Sequence, residues 1–334
     1  MAILVLGGAG YIGSHAVKKL LDQGDAVVVV DNLSTGFRQA VDSRAAFYEC
    51  DIADGACMDR VFDENDIEAV LHFAAFSLVG ESMEAPLKYF QNNTGTMMTL
   101  LEKLKKYNVR SLVFSSTAAV YGEPETVPIH EETKKQPSSP YGESKLMMER
   151  IIRWVGETTD LNFVSLRYFN VAGASKDASI GESHQPETHL IPIVLEYASG
   201  KRDALYVFGN DYDTADGTCI RDYIHVEDLI DAHILALKYL MDGGESDIFN
   251  LGYNRGYSIL DIIRTAEAVT GRTLDFEYRE RRPGDPSVLV ANADKAMEML
   301  GWQPQHDDIE EIITDAWQWH QKNPDGWVTH EDTD

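Results

Sequence analysis

The chain has 334 residues, of which 44% are hydrophobic and 25% charged, and its formal net charge is −26. That length and composition are typical of a globular protein with a substantial core, and the charge excludes a duplex nucleic-acid binder, which needs a basic surface. The apolar run at residues 2–6 is too short for a signal peptide or membrane span and leads into glycines, so we expect a cytoplasmic protein with no membrane partner.

The first half of the chain alternates short apolar runs with amphipathic stretches. Runs that are apolar nearly throughout, the pattern of parallel strands covered on both faces, occupy residues 2–6, 26–30, 45–50, 69–73, 111–115 and 163–168. Helical periodicity lies between them at 12–23, 58–65 and 87–107. This order predicts an α/β fold with a Rossmann-type doubly wound parallel sheet.

The second half predicts a smaller α/β lobe. A polar loop at 175–188 is followed by predicted helices at 189–200, 226–241, 259–270 and 309–321 and strands at 247–251 and 274–279. We predict a first domain over residues 1–170, to which segments at about 220–255 return, and a second lobe over residues 171–334. Residues 328–334 are predicted to form a frayed acidic tail.

Glycines 7, 10 and 13 follow the first strand and open the first helix, which predicts a dinucleotide-binding loop. Glycine lets the backbone turn tightly and approach a pyrophosphate, and the helix N-terminus offers free N–H groups. Asp31 ends the second strand, where a carboxylate can bind the adenosine ribose and repel a 2′-phosphate, favouring NAD over NADP. A turn or N-cap aspartate is the alternative. Asp51, after the third strand, is placed to meet the adenine amino group.

Tyr141 and Lys145 lie four residues apart on a predicted helix and therefore share one face. An ammonium group at that distance stabilises a phenolate, so we expect Lys145 to lower the pKa of Tyr141 and let it act as a base. Thr117, at the end of the fifth strand, could hydrogen-bond the same substrate hydroxyl. A surface helix pair is the alternative, but the preceding glycine loop and strand end favour catalysis.

Cysteine and histidine spacing predicts neither a disulfide nor a metal site. Cys50, Cys57 and Cys219 form no CxxC pair, and we expect them to be reduced, mostly buried thiols. The ten histidines have no HxxxH or similar ligand spacing, so no metal is expected.

Together these motifs resemble the extended short-chain dehydrogenase/reductase family, and within it the UDP-glucose 4-epimerases, over nearly the whole chain. The resemblance also rests on Asn92 and Asn93 and on the sequences LHFAA at 71–75, VGES at 79–82, LRYFN at 166–170, FGNDY at 208–212, GTCIRDYIH at 217–225 and NLG at 250–252. It implies an NAD-binding domain followed by a UDP-sugar-binding lobe.

The resemblance implies reversible C4 epimerisation of UDP-galactose and UDP-glucose, a step of galactose metabolism. The reaction would pass through a transient 4-keto sugar, with the hydride held on tightly bound NAD. Tyr141 is implied as the acid/base, Thr117 as its assistant, and Lys145 also as a ligand of the nicotinamide ribose. A homodimer is implied as well, through helices at about 87–107 and 141–157.

The implied site residues fall into two sets. Cofactor binding is assigned to Gly7, Gly10, Tyr11, Ile12, Gly13, Asp31, Asn32, Asp51, Ile52, Phe73, Ala74, Ala75, Asn92, Ser115, Tyr141, Lys145 and Tyr168. Substrate binding is assigned to Thr117, Tyr141, Asn170, His189, Leu190, Tyr206, Phe208, Arg221, Arg282, Asp285 and Leu289. Arginine suits a diphosphate because its planar fork binds two oxygens at once. An exposed charged turn is the alternative for Arg282, and core packing is the alternative for Phe208.

The chain departs from the family pattern at four positions. His189 stands where some relatives carry asparagine, Thr117 replaces a serine, and Ser77 occupies a place where some relatives have lysine. Leu289 aligns with a position that is tyrosine in some epimerases. Because leucine is smaller than tyrosine, UDP-GlcNAc and UDP-GalNAc are alternative substrates.

Three other functions compete with epimerisation. A sugar-nucleotide 4,6-dehydratase needs an acid and a base after the threonine, whereas Thr117 is followed here by Ala118 and Ala119. A non-catalytic NAD-binding redox regulator need not retain Tyr141 and Lys145. A net dehydrogenase or reductase would accumulate NADH during turnover.

Overall fold

The structure, a computed structural model, describes residues 1–282 and 285–327. The predicted tail at 328–334, and Pro283 and Gly284 of the predicted turn, lie outside the described residues. Across the two described ranges, no helix combines the length and the apolar character needed to cross a membrane.

A seven-stranded parallel sheet forms the centre of the fold, in the order β11-β6-β5-β4-β1-β2-β3. Its strands are β1 (Ala2–Leu6), β2 (Ala26–Asp31), β3 (Ala46–Glu49), β4 (Ile67–His72), β5 (Ser111–Ser115), β6 (Asn162–Tyr168) and β11 (Asp247–Leu251). The central strands are buried on both faces, which explains their unbroken apolar sequences. The Rossmann-type fold class is therefore confirmed.

Helices cover both faces of this sheet and also build the second lobe. They are α1 (Tyr11–Gln23), α2 (Gly55–Glu64), α3 (Val79–Glu84), α4 (Pro86–Tyr89), α5 (Gly95–Lys106), α6 (Pro140–Thr158), α7 (Leu190–Ala198), α8 (Val226–Met241), α9 (Ile259–Thr270), α10 (Asp294–Leu300) and α11 (Ile309–Lys322). One core cluster joins the sheet to α1 and α8, and a second joins its other face to α2, α5 and α6.

The second lobe contains only short strands around a core of helices. The strands are β7 (Asn170–Ala172), β8 (Tyr206–Phe208), β9 (Ile220–Arg221), β10 (Tyr223–His225), β12 (Tyr257–Ser258), β13 (Glu277–Arg279) and β14 (Val288–Leu289). They pair as β10-β7, β12-β9-β14 and β13-β8, while α7, α9 and α11 share an apolar cluster. Strands of two or three residues carry no recognisable periodicity, so most of them were not predicted.

The helix predicted at 87–107 is confirmed as a continuous helical segment, made of α4, a π-helical turn at Phe90–Thr94 that was not predicted, and α5. The wider turn accommodates Asn93, whose buried amide donates to Ser144 Oγ at 2.9 Å. The same amide exchanges hydrogen bonds with the backbone of Phe76. Such π turns occur frequently at functional sites, and this one places Asn92 beside the cavity described below.

Candidate functional site

A cavity of about 390 Å³ lies at the carboxyl ends of the sheet strands. In a doubly wound sheet this edge is the usual ligand site. All but one of the predicted cofactor residues line it: Gly7, Gly10, Tyr11, Ile12, Gly13, Asp31, Asn32, Asp51, Ile52, Phe73, Ala74, Ala75, Asn92, Tyr141, Lys145 and Tyr168. Thr117, Asn170, His189 and Leu190 of the predicted substrate set line it as well.

The glycine loop is packed so closely that side chains are excluded. A Cβ on Gly7, whose φ is +78°, would lie 2.7 Å from the backbone nitrogen of Ala74, and a Cβ on Gly13 would collide with the carbonyl oxygen of Gly7. Helix α1 begins here without a side-chain cap and without an acidic residue in its first turn. Its first N–H groups are therefore available to a pyrophosphate.

Asp31 both lines the cavity and organises a turn, so the two alternatives for this residue are compatible. Its carboxylate accepts hydrogen bonds from the backbone N–H groups of Ala9 and Leu33, each at 2.9 Å. Burial raises the pKa of Asp31, and these two hydrogen bonds act in the opposite direction. Nearby, Asn32 donates to Asp51 at 2.9 Å, which ties the ends of β2 and β3 together.

The cysteines differ from the expectation of three reduced thiols. Cys50 and Cys57 are joined by a disulfide across seven positions, and Cys219 is free and buried. Sequence spacing did not reveal the pair because Cys50 follows β3 while Cys57 lies in the first turn of α2. The turn between them brings the two residues to a Cα–Cα distance of 6.4 Å.

Tyr141, Lys145 and Thr117 meet on one wall of the cavity. Ser139 caps α6 by accepting from the N–H of Gly142, so the helix begins just before Tyr141. Burial raises the pKa of Tyr141, and a hydrogen bond with Thr117 acts in the opposite direction. Burial also lowers the pKa of Lys145 to about 7. In the chain without a bound cofactor, the expectation that Lys145 lowers the pKa of Tyr141 is therefore wrong. Burial disfavours both the phenolate of Tyr141 and the ammonium group of Lys145.

Ser115 does not line the cavity but lies behind Lys145. Its carbonyl oxygen accepts a hydrogen bond from Lys145 Nζ at 2.8 Å, and its hydroxyl contacts His233 Nε2 at 2.7 Å. The side chain of Ser115 is fully buried. Ser115 therefore positions Lys145. A direct contact between Ser115 and the cofactor was predicted instead.

A buried ion pair that sequence reasoning missed supports α6 from behind. Arg167 donates to both carboxylate oxygens of Glu149, at 2.9 and 2.6 Å, and their side chains are only 2% and 4% exposed. Ser116 Oγ donates to the same carboxylate at 2.5 Å. Glu149 lies one helical turn after Lys145, so this network fixes the rotation of the helix that carries Tyr141. An arginine in β6 was the only sequence signal, since arginine is seldom buried without a partner.

The remaining predicted substrate residues do not line the cavity but form a group in the second lobe, called here the arginine group. Its members are Tyr206, Phe208, Arg221, Arg282, Asp285 and Leu289. Arg221 pairs with Asp285 and donates to the Pro286 carbonyl at 2.8 Å, and it lies beside Leu289 in the β9-β14 register. The Arg282 guanidinium lies 4.3 Å from the ring centre of Phe208.

These contacts bear on the alternative for Phe208, whereas Arg282 is exposed, as its alternative of a charged surface turn expects. Phe208 is half-buried and covered by Arg282, so it is not a simple core residue. Leu289 packs against a separate apolar cluster that contains Tyr121 and Phe169. A backbone hydrogen bond of 3.0 Å from Asn170 to Asp222 connects the cavity wall to the arginine group.

Among the cavity-lining residues that sequence reasoning did not assign, Glu182 and His184 are titratable. Both belong to the polar loop before α7, to which no site residue was assigned from sequence. Ser77, which replaces the lysine of some relatives, also lines the cavity.

Comparisons with known proteins agree on one family. The model of the NAD dependent epimerase/dehydratase family matches residues 3–252. The chain is 56% identical to the UDP-glucose 4-epimerase of Lacticaseibacillus casei, over 98% of this chain and 99% of the relative.

Two solved structures illustrate the similarity. The UDP-glucose 4-epimerase from Bifidobacterium longum, in complex with NAD⁺ and UDP, superposes with a TM-score of 0.93 at 38% identity, covering 98% of this chain and 100% of that one. The UDP-Glc/GlcNAc 4-epimerase from Campylobacter jejuni superposes with a TM-score of 0.84 at 43% identity, covering 96% and 99%.

Proposed function

Because this chain belongs to the NAD-dependent epimerase/dehydratase family, we propose that it interconverts UDP-glucose and UDP-galactose by inverting C4. One observation carries the proposal: Tyr141, Lys145 and Thr117 share a cavity with the glycine loop. Proton-transfer groups and a dinucleotide site thus face the same space. The names of the relatives, among them the Lacticaseibacillus casei enzyme, support UDP-glucose as substrate. The proposed metabolic role is in galactose metabolism.

The residues at the glycine-loop end fit NAD. Gly7 and Gly13 form a cradle that a Cβ would fill, the uncapped start of α1 faces it, and Asp31 would exclude a 2′-phosphate. When bound, NAD supplies a hydride acceptor for the sugar C4 and a positive charge that favours the Tyr141 phenolate.

Residues of the chain transfer the proton of the sugar 4-hydroxyl. Tyr141 takes it from the sugar 4-hydroxyl and later returns it, so the group acts first as base and then as acid. Thr117 hydrogen-bonds Tyr141 and thereby lowers the cost of the phenolate. Lys145, which donates a hydrogen bond to the Ser115 carbonyl, would hold the nicotinamide ribose. No net redox change results.

The sequence after Thr117 favours an epimerase over a dehydratase within the same family. Ala118 and Ala119 begin a short 3₁₀ turn, and Ala118 is buried. Neither methyl group can transfer the protons that expulsion of water requires. A dehydratase would need these groups from elsewhere in the cavity.

The arginine group is proposed to hold the UDP diphosphate. Arg221 pairs with Asp285, so binding of a diphosphate exchanges one anionic partner for another. Phe208 and Arg282 already stack on one another and present a planar surface. We propose that Asn170, His189 and Leu190 contact the nucleotide sugar from the cavity wall.

We also infer that N-acetylated UDP-sugars are accepted. Leu289 is smaller than the tyrosine found there in some relatives, and a relative of 43% identity is named a UDP-Glc/GlcNAc 4-epimerase. Turnover of UDP-GlcNAc by the purified enzyme, reduced by Leu289→Tyr while UDP-galactose turnover persists, is the expected result. No turnover of UDP-GlcNAc would end this part of the proposal.

The implied homodimer is supported by exposed apolar side chains on helices that contact one another. Val79, Met83, Leu87, Met98 and Trp154, on α3 to α6, are between 50% and 70% exposed. A second copy would cover them, as homodimer interfaces are apolar. Light scattering should give twice the monomer mass for the wild type, and a monomer for Leu87→Glu. A wild-type monomer would contradict this inference. The cytoplasmic location stays a prediction.

The decisive experiment is incubation of the purified protein with UDP-galactose and analysis of the sugar products. Formation of UDP-glucose without accumulation of NADH supports the epimerase. Accumulated NADH would identify a net dehydrogenase instead. Bound NAD without any product would favour the redox regulator.

A further inference from the structure

Four side chains of the polar loop before α7 converge on one point. Glu182, His184, Glu187 and His189 each offer one nitrogen or oxygen atom, and these atoms all lie within 4.8 Å of one another. Among the described residues, no other group of histidine, cysteine and carboxylate side chains meets this condition. The spacing ExHxxExH explains why a search for paired histidines did not find it, since carboxylates alternate with the imidazoles.

The distances between these atoms are close to the edges of a tetrahedral ion site, although His189 lies within hydrogen-bonding distance of Glu187. His184 Nδ1 lies 3.3 Å from Glu182 Oε1 and 3.4 Å from Glu187 Oε2. His189 Nδ1 lies 2.9 and 3.0 Å from the same two carboxylates. Ligands at zinc distances of about 2.0–2.1 Å are separated by about 3.3 Å along a tetrahedral edge.

One ligand atom is buried without a hydrogen bond. The Nδ1 atom of His184 is inaccessible to solvent and has no hydrogen-bond partner among the described residues, although two carboxylates face it. The side chains of Glu182 and Glu187 are only 6% and 4% exposed. Burial lowers the pKa of both imidazoles, but Glu182 and Glu187 outweigh it and raise the pKa of His184 to about 9 and that of His189 to about 10, so without an ion two imidazolium groups balance the buried carboxylates. One bound dication would replace these two protons and would also give the unpartnered Nδ1 of His184 a partner.

We propose that Glu182, His184, Glu187 and His189 bind one divalent transition-metal ion of the zinc class. When an ion binds, the two imidazoles release their protons, and the remaining charge of −2 on the two carboxylates is neutralised by a dication. Imidazole nitrogens favour zinc and its neighbours over magnesium and calcium, which prefer oxygen ligands throughout. Four protein ligands close the coordination shell, so the ion is structural and not catalytic.

The surrounding contacts position the ligands from outside the cluster. Trp319 Nε1 donates to the Glu182 carbonyl at 3.0 Å, and Arg202 donates to the Glu187 carbonyl at 3.2 Å. Glu187 Oε1 also accepts from its neighbouring backbone N–H groups at 2.7 and 2.8 Å. Such outer contacts orient metal ligands before the ion binds. Since Glu182, His184 and His189 line the cavity, the ion would fix one of its walls.

Cobalt(II) is the best probe, because its visible spectrum reports coordination geometry. The chelator-treated full-length protein, with its NAD retained, is titrated with Co²⁺ and then with Zn²⁺. We expect one equivalent per chain, intense absorption bands typical of tetrahedral cobalt, and loss of these bands as Zn²⁺ displaces Co²⁺. Elemental analysis after dialysis should give the same stoichiometry for Zn²⁺.

Variants test whether the ion binds at this cluster or at other acidic groups on the surface. His184→Asn and Glu187→Gln should weaken binding by at least about 10-fold, whereas the matched control His306→Asn should not, because His306 also faces two carboxylates outside the cluster. Weak bands typical of octahedral cobalt, or equal binding by wild type and His184→Asn, would overturn the proposal. The fold of each variant is checked on the metal-free protein, whose melting temperature and NAD content should equal those of metal-free wild type. None of these measurements depends on epimerase activity.

Discussion

The glycine-loop end of the site and the arginine group differ in how the chain builds them. The residues at the glycine-loop end lie at the carboxyl ends of strands of one parallel sheet. The order of the strands in the sheet therefore decides which of these residues are neighbours in space. The residues of the arginine group lie on β8, β9 and β14, which belong to two separate small sheets, and on the loop before β14. The backbone of the large sheet fixes the positions of the residues at the glycine-loop end. In the arginine group, side-chain pairs such as Arg221 with Asp285 fix them instead.

This difference separates two kinds of recognition. A pyrophosphate at the glycine loop meets backbone N–H groups that have no other partner, so binding displaces only water. A diphosphate at Arg221 must displace a carboxylate that already occupies the guanidinium. The glycine-loop end is therefore preformed for a resident cofactor, whereas exchangeable ion pairs suit a substrate that enters and leaves.

The largest effect is expected at Tyr141, which lines the cavity together with the glycine loop. Removing the phenol in Tyr141→Phe should lower kcat about 10²- to 10⁴-fold, the usual contribution of a general acid or base. Bound NAD and the melting temperature should not change. Steady-state kinetics with UDP-galactose measure the loss, and Tyr48→Phe on β3 is the control. Activity within a few-fold of wild type would exclude Tyr141 as the proton carrier.

A methyl group at the glycine loop tests whether that end is preformed. Gly13→Ala forces a Cβ against the Gly7 carbonyl, so the loop must shift and bound NAD should be lost together with part of the stability. Gly55→Ala is the control, since a Cβ there meets only the end of a lysine side chain at 3.4 Å. Cofactor content and thermal unfolding are the measurements. Retention of full NAD content by Gly13→Ala would contradict the close packing.

The arginine group should respond differently, in substrate affinity alone. Arg282→Ala should raise KM for UDP-galactose about 10- to 100-fold, because a hydrogen bond to a charged group contributes about 1.5–3 kcal/mol. Both kcat and bound NAD should stay close to wild type. Arg264→Ala, on the exposed face of α9, is the matched control. A fall in NAD content in Arg282→Ala would remove the distinction between the two ends.

A further effect, on stability and not on turnover, is a pH dependence of the free energy of unfolding from Lys145. Burial lowers its pKa in the folded chain to about 7, below the ordinary value of 10.5. Between these values the unfolded chain holds a proton that the folded chain lacks, so the free energy of unfolding rises with pH across this window. Denaturant titrations at about pH 7 and about pH 10 should show a smaller rise in Lys145→Met than in wild type. Equal slopes would mean that Lys145 is charged in the folded chain.

The sequence predicted best those features whose signal is local. The apolar runs at 2–6 and 26–30 and the glycines between them identify the sheet and the loop, because each element's role is encoded within its own few residues. Tyr141 and Lys145 were recognisable for the same reason, since a four-residue spacing defines a shared helix face. These local features sufficed for the fold class and for most of the cavity wall.

Features that depend on distant partners were not predictable. Arg167 and Glu149 form their pair between β6 and α6, and neither position shows this in sequence. The π turn depends on how Asn93 meets Phe76 and Ser144, which lie on other elements. The proposed metal ligands share one loop, and histidine spacing alone does not reveal them because carboxylates alternate with the imidazoles.

The position of β11 has a consequence for how the protein is made. This strand is the outer neighbour of β6, yet it is synthesised only after the chain has passed through β7 to β10 and α8. Until residue 251 leaves the ribosome, β6 is an open edge with unpaired backbone groups, the kind of edge that invites pairing with other chains. A fragment ending at residue 170 would therefore be prone to aggregate, and the sheet matures only when the second half of the protein is being completed.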